Sequence, residues 1–329
     1  MKKILLDCRL LNEGNSGISL WLRSNLEGML SAFSDCEIIL LTDKSDNLGM
    51  LESYPNVTVQ ILFSKFKHLP HFIEKILYVF WELPNAMKSL KGDLLISPYY
   101  DFLVPRFYNK KAIITVHDLC FWDVPNFYNF KTKIFHYLVF WLNRLKKVKI
   151  ITVSETSKAN IKNRFKLDSD VIYNSYVDDW RNFVVDEIEL LSIKEKFNIY
   201  KKNVFLYTGG IDLRKNLDGL IESFNIFNQS KKNCLLVITG EIPKTKRFQR
   251  LRDRLRENKN IRLVGKISFR ELGVFYSEIA TAVINVSCYE GFGRSNLEAK
   301  CFGVPLLCSD IPVFKEIMED YPTYCNPYS

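Results

Sequence analysis

Short apolar runs separated by longer stretches of helical periodicity recur along the whole chain, and this rhythm limits the possible folds more than any other feature. The runs 4–7, 37–41, 57–62, 94–97, 112–116, 150–153 and 171–173 occupy the first half, and 204–207, 235–239, 261–264, 282–286 and 305–307 continue them in the second. Short continuous apolar runs read as strands buried on both faces, a property of parallel sheets covered by helices on each side. Strand–helix alternation sustained over 329 residues therefore predicts an α/β protein of two doubly wound, Rossmann-like domains. A polar, charged stretch at 178–203 separates the two series. The expected division is a first domain over 1–177, a linker over 178–203 and a second domain over 204–329, with the ligand site in the cleft that the domains face.

Bulk properties narrow the function classes. An apolar fraction of 47% is that of a globular chain. A net charge of +9 admits nucleic acid, an anionic membrane surface or a phosphorylated substrate as partner. Lys and Arg are dispersed over both halves with no recognisable binding module, so no nucleic acid is expected. No apolar run approaches the roughly 18 residues of a spanning helix, and Met1-Lys2-Lys3 leads directly into the first strand, unlike a signal peptide. The cysteines at 8, 36, 120, 234, 288, 301, 308 and 325 lack close C-x-x-C pairing and read as reduced core thiols of a cytosolic protein.

Two motifs carry chemistry. Tyr207-Thr208-Gly209-Gly210 closes a buried strand, Arg214-Lys215-Asn216 follows, and Leu217, Leu220, Ile221 and Phe224 then recur at helical spacing. Such a turn lets backbone approach a ligand and sets two cations beside a helix N-terminus, where phosphate is favoured. The second motif, Glu290-Gly291-Phe292-Gly293-Arg294-Ser295, ends at Glu298 and follows the 282–286 strand. Ser295 to Glu298 also fits a capping box, with Gly303 closing the helix that follows. No G-x-x-x-x-G-K-[ST] run supports a P-loop enzyme. On one helix, Glu290 and Glu298 would stand roughly 12 Å apart, too far for a glycoside hydrolase pair.

Together these motifs resemble the retaining GT-B glycosyltransferases of family 4, the bacterial surface-polysaccharide type, whose signature is two glutamates separated by seven residues, as Glu290 and Glu298 are. The resemblance implies a donor that is a nucleotide-diphosphate sugar, a substrate and not a cofactor; no cofactor or metal is expected. It implies that Glu290 contacts the transferred sugar, Glu298 holds the ribose, and Arg214 and Lys215 bind the diphosphate. Gly209, Gly210, Asn216 and the residues Gly291, Phe292, Gly293, Arg294 and Ser295 complete the donor site. His117, in Thr115-Val116-His117-Asp118-Leu119, matches the family's sugar-contacting histidine, and Gly17, after Gly14-Asn15-Ser16, matches its glycine-rich loop. Relatives usually continue with further helices, so the C-terminal end is expected to be incomplete. Arg294-Ser295-Asn296 departs from the apolar-Pro sequence common at that point.

The implied acceptor is a growing surface glycan, on a lipid carrier at the inner face of the cell membrane. The stripe 63–90, with Lys65, Lys67, Lys75 and Lys88 among Phe66, Phe72, Ile76, Leu77, Phe80 and Trp81, is a candidate for contact with an anionic bilayer. A nucleotide-sugar epimerase of the same fold is the alternative enzyme. Asp168-Ser169-Asp170 has the D-x-D form of metal-dependent GT-A enzymes, but it precedes a strand instead of following one and reads as a solvated turn. His68 and His71 have helical i, i+3 spacing, but no nearby Cys, Asp or third His completes a metal site.

Overall fold

The computed structural model describes residues 2–12, 17–42, 54–62, 68–99, 111–128, 130–145, 148–175, 180, 182–201, 203–231 and 233–329. It divides into two compact units, Met1–Ser175 and Tyr176–Ser329. The first unit holds β1 (Lys3–Asp7), β2 (Glu37–Thr42), β3 (Val57–Ile61), β4 (Leu94–Ser97), β5 (Lys111–Val116), β6 (Lys149–Thr152) and β7 (Asp170–Val171) in one sheet ordered β3-β2-β1-β4-β5-β6-β7. The second holds β8 (Asn203–Tyr207), β9 (Cys234–Thr239), β10 (Ile261–Gly265), β11 (Ala282–Asn285), β12 (Leu306–Ser309) and β13 (Thr323–Cys325) in the order β10-β9-β8-β11-β12-β13. Every pairing within the two sheets is parallel. Both units are therefore Rossmann-like, each reversing its strand order once, between β1 and β4 and between β8 and β11.

Alternation along each strand sorts the second unit's core onto two faces. Val204, Leu206, Leu235, Val237, Val283 and Leu306 share one cluster with Phe275, Tyr276 and Phe314. Tyr207, Leu236, Ile238 and Ile284 share the other with Leu217, Leu220, Ile221 and Phe224 of the helix Leu217–Ser230. At about 1.5–3 kcal/mol for each fully buried large apolar side chain, that helix stripe anchors the element that follows the Gly209–Asn216 turn. In the first unit Leu5, Ile39 and Leu95 pack with Tyr78, Leu83, Met87, Phe135 and Val139, so the segments 71–90 and 130–145 cover the same face of its sheet.

Three expectations change. The stretch 178–203, read as a linker, contributes Trp180, Ile193, Phe197 and Ile199 to the second unit's core. Trp180 stacks on Phe269 at 4.2 Å, and the helix Glu187–Lys196 starts at Asp186, whose carboxylate accepts the Glu189 amide at 2.8 Å. A few apolar residues at helical spacing were hidden by the surrounding charge. Thr323–Cys325, beyond the last strand expected at 305–307, pairs with β12. All eight cysteines are free; Cys301 is exposed, so the reading of core thiols fails there.

Candidate active site

The loops after β8 and β11 flank the point where the second sheet reverses its order, which is where doubly wound sheets bind ligands. Both motifs fall on these loops. Gly209 has φ +131, a conformation that an L side chain rarely adopts, and Gly240 approaches so closely that a Cβ there would lie 2.7 Å from the Gly209 carbonyl. Beyond this turn, Asp212 accepts the Arg214 amide at 3.1 Å and fixes the 3-10 turn Leu213–Lys215.

That turn delivers both cations to Glu290. Arg214 NH1 donates to Glu290 Oε2 at 2.7 Å and to the Tyr289 carbonyl at 2.7 Å, while Lys215 Nζ donates to Glu290 Oε1. All three side chains are largely withdrawn from solvent. Burial alone would push the Glu290 carboxyl up, but the charges of Arg214 and Lys215 prevail and hold it at about 2. Burial draws the Lys215 ammonium down, opposed by Glu290. The site thus carries a net positive charge concentrated on groups with little water around them, which strengthens any contact to an entering anion.

Behind this triad runs a buried polar network. Ser287 Oγ lies 3.0 Å from Glu290 Oε1 and 2.6 Å from Asn285 Oδ1; Asn285 Nδ2 donates to Asn296 Oδ1 at 2.8 Å and to Ser295 Oγ at 3.2 Å. The end of β11 therefore sets both the Glu290 loop and the start of the helix Arg294–Cys301. Gly293 caps this helix at φ +97, and a Cβ there would lie 2.5 Å from the Phe314 ring, so only glycine fits. Asn296 and Leu297 amides bond to the Gly293 carbonyl, leaving the Arg294 and Ser295 amides without acceptors in the helix.

Glu298 is held differently from Glu290. Tyr276 OH donates to its Oε2 at 2.9 Å, Thr208 Oγ1 stands 2.8 Å from that same hydroxyl, and Arg294 NH2 lies 3.9 Å from Oε1. Burial raises the Glu298 carboxyl above the usual range, against the pull of Arg294 and the Tyr276 hydrogen bond. Arg294 Nε and NH1 and Asn296 Nδ2 are buried with no partner among the described residues. Buried donors of this kind are costly unless a ligand satisfies them.

The placement of the remaining predicted residues is uneven. Ser295 is not the N-cap, because the helix begins at Arg294 with Gly293 in the cap position, two residues earlier than a Ser295 cap requires; Gly303 does close it, with φ +67 and Gly303 and Val304 amides on the Lys300 and Ala299 carbonyls. Asn216 turns its amide onto the Pro327 carbonyl at 2.7 Å, and the Phe292 ring is buried, so neither side chain is presented as a donor contact. Gly17 opens the helix Gly17–Ala32, while Gly14, Asn15 and Ser16 lie outside the described residues. His117 follows β5 in the first unit; its Nε2 donates to the Pro98 carbonyl at 2.9 Å and its ring meets Trp21 edge-on at 5.3 Å. Asp168 and Asp170 are paired with Lys162 and Lys149. Thr208, Tyr276, Asn285 and Ser287 were not singled out from sequence. Thr208 sat inside a motif already quoted, and a strand-end position could have drawn attention to Asn285 and Ser287; nothing local marks Tyr276.

Residues 191–326 match the family described as glycosyl transferases, group 1. Over 280 residues the chain is 26% identical to the O-antigen chain mannosyltransferase of Salmonella typhimurium strain LT2, covering 78% of this chain and 74% of that relative. The chain is a glycosyltransferase. Solved structures agree on the fold of the enzyme. Sucrose-phosphate synthase from Thermosynechococcus elongatus superposes with a TM-score of 0.75 at 17% identity, over 100% of this chain and 87% of that one. HepE of Anabaena, solved with UDP-glucose, gives 0.73 at 14% identity, over 99% and 86%. This glycosyltransferase accordingly has the GT-B fold.

For Glu298→Gln we expect affinity for a bare nucleoside diphosphate to fall by about 1.5–3 kcal/mol, the cost of a charged hydrogen bond lost to a neutral one. Its melting temperature should hold or rise, since a buried carboxylate that burial disfavours is replaced by a neutral group of equal size. Calorimetric titration with a thermal melt checks both; unchanged affinity would show that Glu298 makes no nucleotide contact.

Proposed function

We infer that this enzyme transfers a hexose from a GDP- or UDP-sugar, GDP-mannose foremost, to a glycan acceptor in lipopolysaccharide, O-antigen or capsule synthesis, with retention of configuration and without metal. The observation that carries the reading is the Arg214–Lys215–Glu290 cluster at the strand-order reversal of the second sheet. The O-antigen mannosyltransferase relative supports the choice of sugar and acceptor.

In the proposed reaction the bond between the sugar's anomeric carbon and the diphosphate breaks, and negative charge grows on the leaving phosphate. Arg214, Lys215 and the amides at the two helix starts stabilise it, in the way preorganised donors lower the barriers of phosphate-leaving reactions. Glu290 exchanges its cation partners for the sugar hydroxyls as the diphosphate arrives. Glu298 orients the ribose, with Tyr276 holding the carboxylate in place. The acceptor hydroxyl attacks the same face of the sugar and passes its proton to the departing phosphate oxygen, so retention needs no covalent glycosyl-enzyme. His117 enters as the sugar contact that the sequence pattern implies.

A panel of nucleotide sugars, read by thermal stabilisation and then by transfer to a lipid-linked glycan, tests the reading. GDP-mannose is expected to stabilise most, and transfer is expected to persist in excess EDTA. Release of free nucleotide and sugar without an acceptor would instead favour an epimerase. Abolition by EDTA and rescue by one divalent ion would overturn the metal-free mechanism.

A further inference from the structure

The helix Phe130–Leu145 presents a face that the first unit's core does not use. Its buried residues, Phe135, His136, Val139 and Phe140, pack inward. On the opposite face Phe130 is 72% exposed, Ile134 50%, Tyr137 57%, Leu138 44% and Trp141 47%. Successive steps of four, three, one and three residues align these five in one stripe along the helix. Phe121, Trp122 and Pro125 extend the stripe sideways, and together they enclose an open, apolar groove of about 500 Å³. Scattered exposed apolar residues need no explanation, but a contiguous aromatic and aliphatic face does.

Charge identifies what covers it. From 124 to 154 the sequence contains no Asp or Glu, whereas Lys131, Lys133, Arg144, Lys146, Lys147 and Lys149 fall within it. By helical spacing Lys131 flanks the stripe on one edge, and Lys133 and Arg144 flank it on the other. Two copies of this face would set like charges against each other, which disfavours self-association. An apolar stripe bordered by cations, with aromatic rings at the boundary, is the pattern of a helix lying in the headgroup layer of an anionic bilayer. Ile73 and Trp81, 44% and 64% exposed, lie on the segment that covers the same sheet face. The stripe first read from sequence is therefore the lesser part: 63–67 lies outside the described residues, as do the side chains of Phe72 and Lys75, while Ile76 and Phe80 pack against the core.

We propose that the Phe130–Leu145 helix is the membrane-docking surface of this chain and that its ligand is an anionic lipid bilayer. The surface is independent of the donor chemistry. Sedimentation with equimolar phosphatidylglycerol–phosphatidylcholine vesicles tests it. The wild-type chain is expected to partition onto these vesicles, to ignore pure phosphatidylcholine, and to be released by raised salt. The double variant Ile134→Ser/Trp141→Ser should bind about a hundred-fold more weakly, since two half-exposed apolar side chains no longer enter the bilayer. The charge reversal Lys131→Glu/Lys133→Glu should weaken binding at least about ten-fold. Melting temperature and nucleoside-diphosphate affinity should be unchanged in both variants, which separates lost docking from lost fold. Equal partition of variant and wild-type chains, or no partition of the wild type, would overturn the proposal. So would lipid-free self-association abolished by Ile134→Ser/Trp141→Ser, which would assign the face to a second copy.

Discussion

Glu290→Gln is expected to bind a bare nucleoside diphosphate more tightly than the wild type while turning over far more slowly. The carboxylate occupies both Arg214 and Lys215, so an entering diphosphate competes with it for the same donors. Removing the charge removes the competitor, and one or two charge-assisted hydrogen bonds regained by phosphate correspond to affinity about ten- to a hundred-fold higher. Turnover should fall about a hundred-fold or more, because the sugar loses the charged contact proposed to orient it. Stability separates the effects. Two buried cations left without their carboxylate should cost roughly 3–5 kcal/mol in the unliganded variant, and nucleoside diphosphate should restore the melting temperature. Calorimetry and paired melts, with and without nucleotide, measure all of this. Affinity that fell instead of rising would show that Glu290 supports the phosphate site and does not compete for it.

Lys215→Ala should behave in the opposite way. The ammonium is proposed to serve both bound donor and leaving phosphate, so affinity and transfer should fall together, with kcat/KM reduced about a hundred- to a thousand-fold. Stability should change little, since Arg214 remains paired with Glu290 and the local charge becomes balanced. Loss of affinity without loss of stability thus marks Lys215, and loss of stability with gain of affinity marks Glu290. Steady-state kinetics across donor concentrations decide it: wild-type values in the Lys215 variant would remove the diphosphate from this turn.

How much of this was legible beforehand depends on the range over which each signal acts. Strands announced themselves because burial on both faces makes them continuously apolar, as at Leu235–Ile238, where every residue is buried. Thr323–Cys325 did not, because an edge strand of three half-buried or exposed residues has no such run. The helix Glu187–Lys196 was lost in its charge, since only Ile193 of it is buried and, apart from the partly buried Leu190, its anchoring comes from Trp180, Phe197 and Ile199 beyond its ends. The cap assigned to Ser295 failed because the decisive contact, Gly293 against Phe314, joins positions on different elements.

For the candidate site, the sequence by itself determined which residues gather at the turn, since strand, glycine pair, cations and helix start are contiguous and act through local backbone chemistry. It also determined that Glu290 and Glu298 lie on one loop and one helix. Only the tertiary structure decided their charge states and partners. Parallel β8 and β11 bring residues more than seventy positions apart into contact, so that Arg214 and Lys215 meet Glu290 and hold it at about 2; packing of separate elements sets Tyr276 on Glu298, which burial drives the other way. Two carboxylates that look alike in the sequence differ because desolvation and Coulomb energy depend on distance in space, which spacing along the chain does not measure.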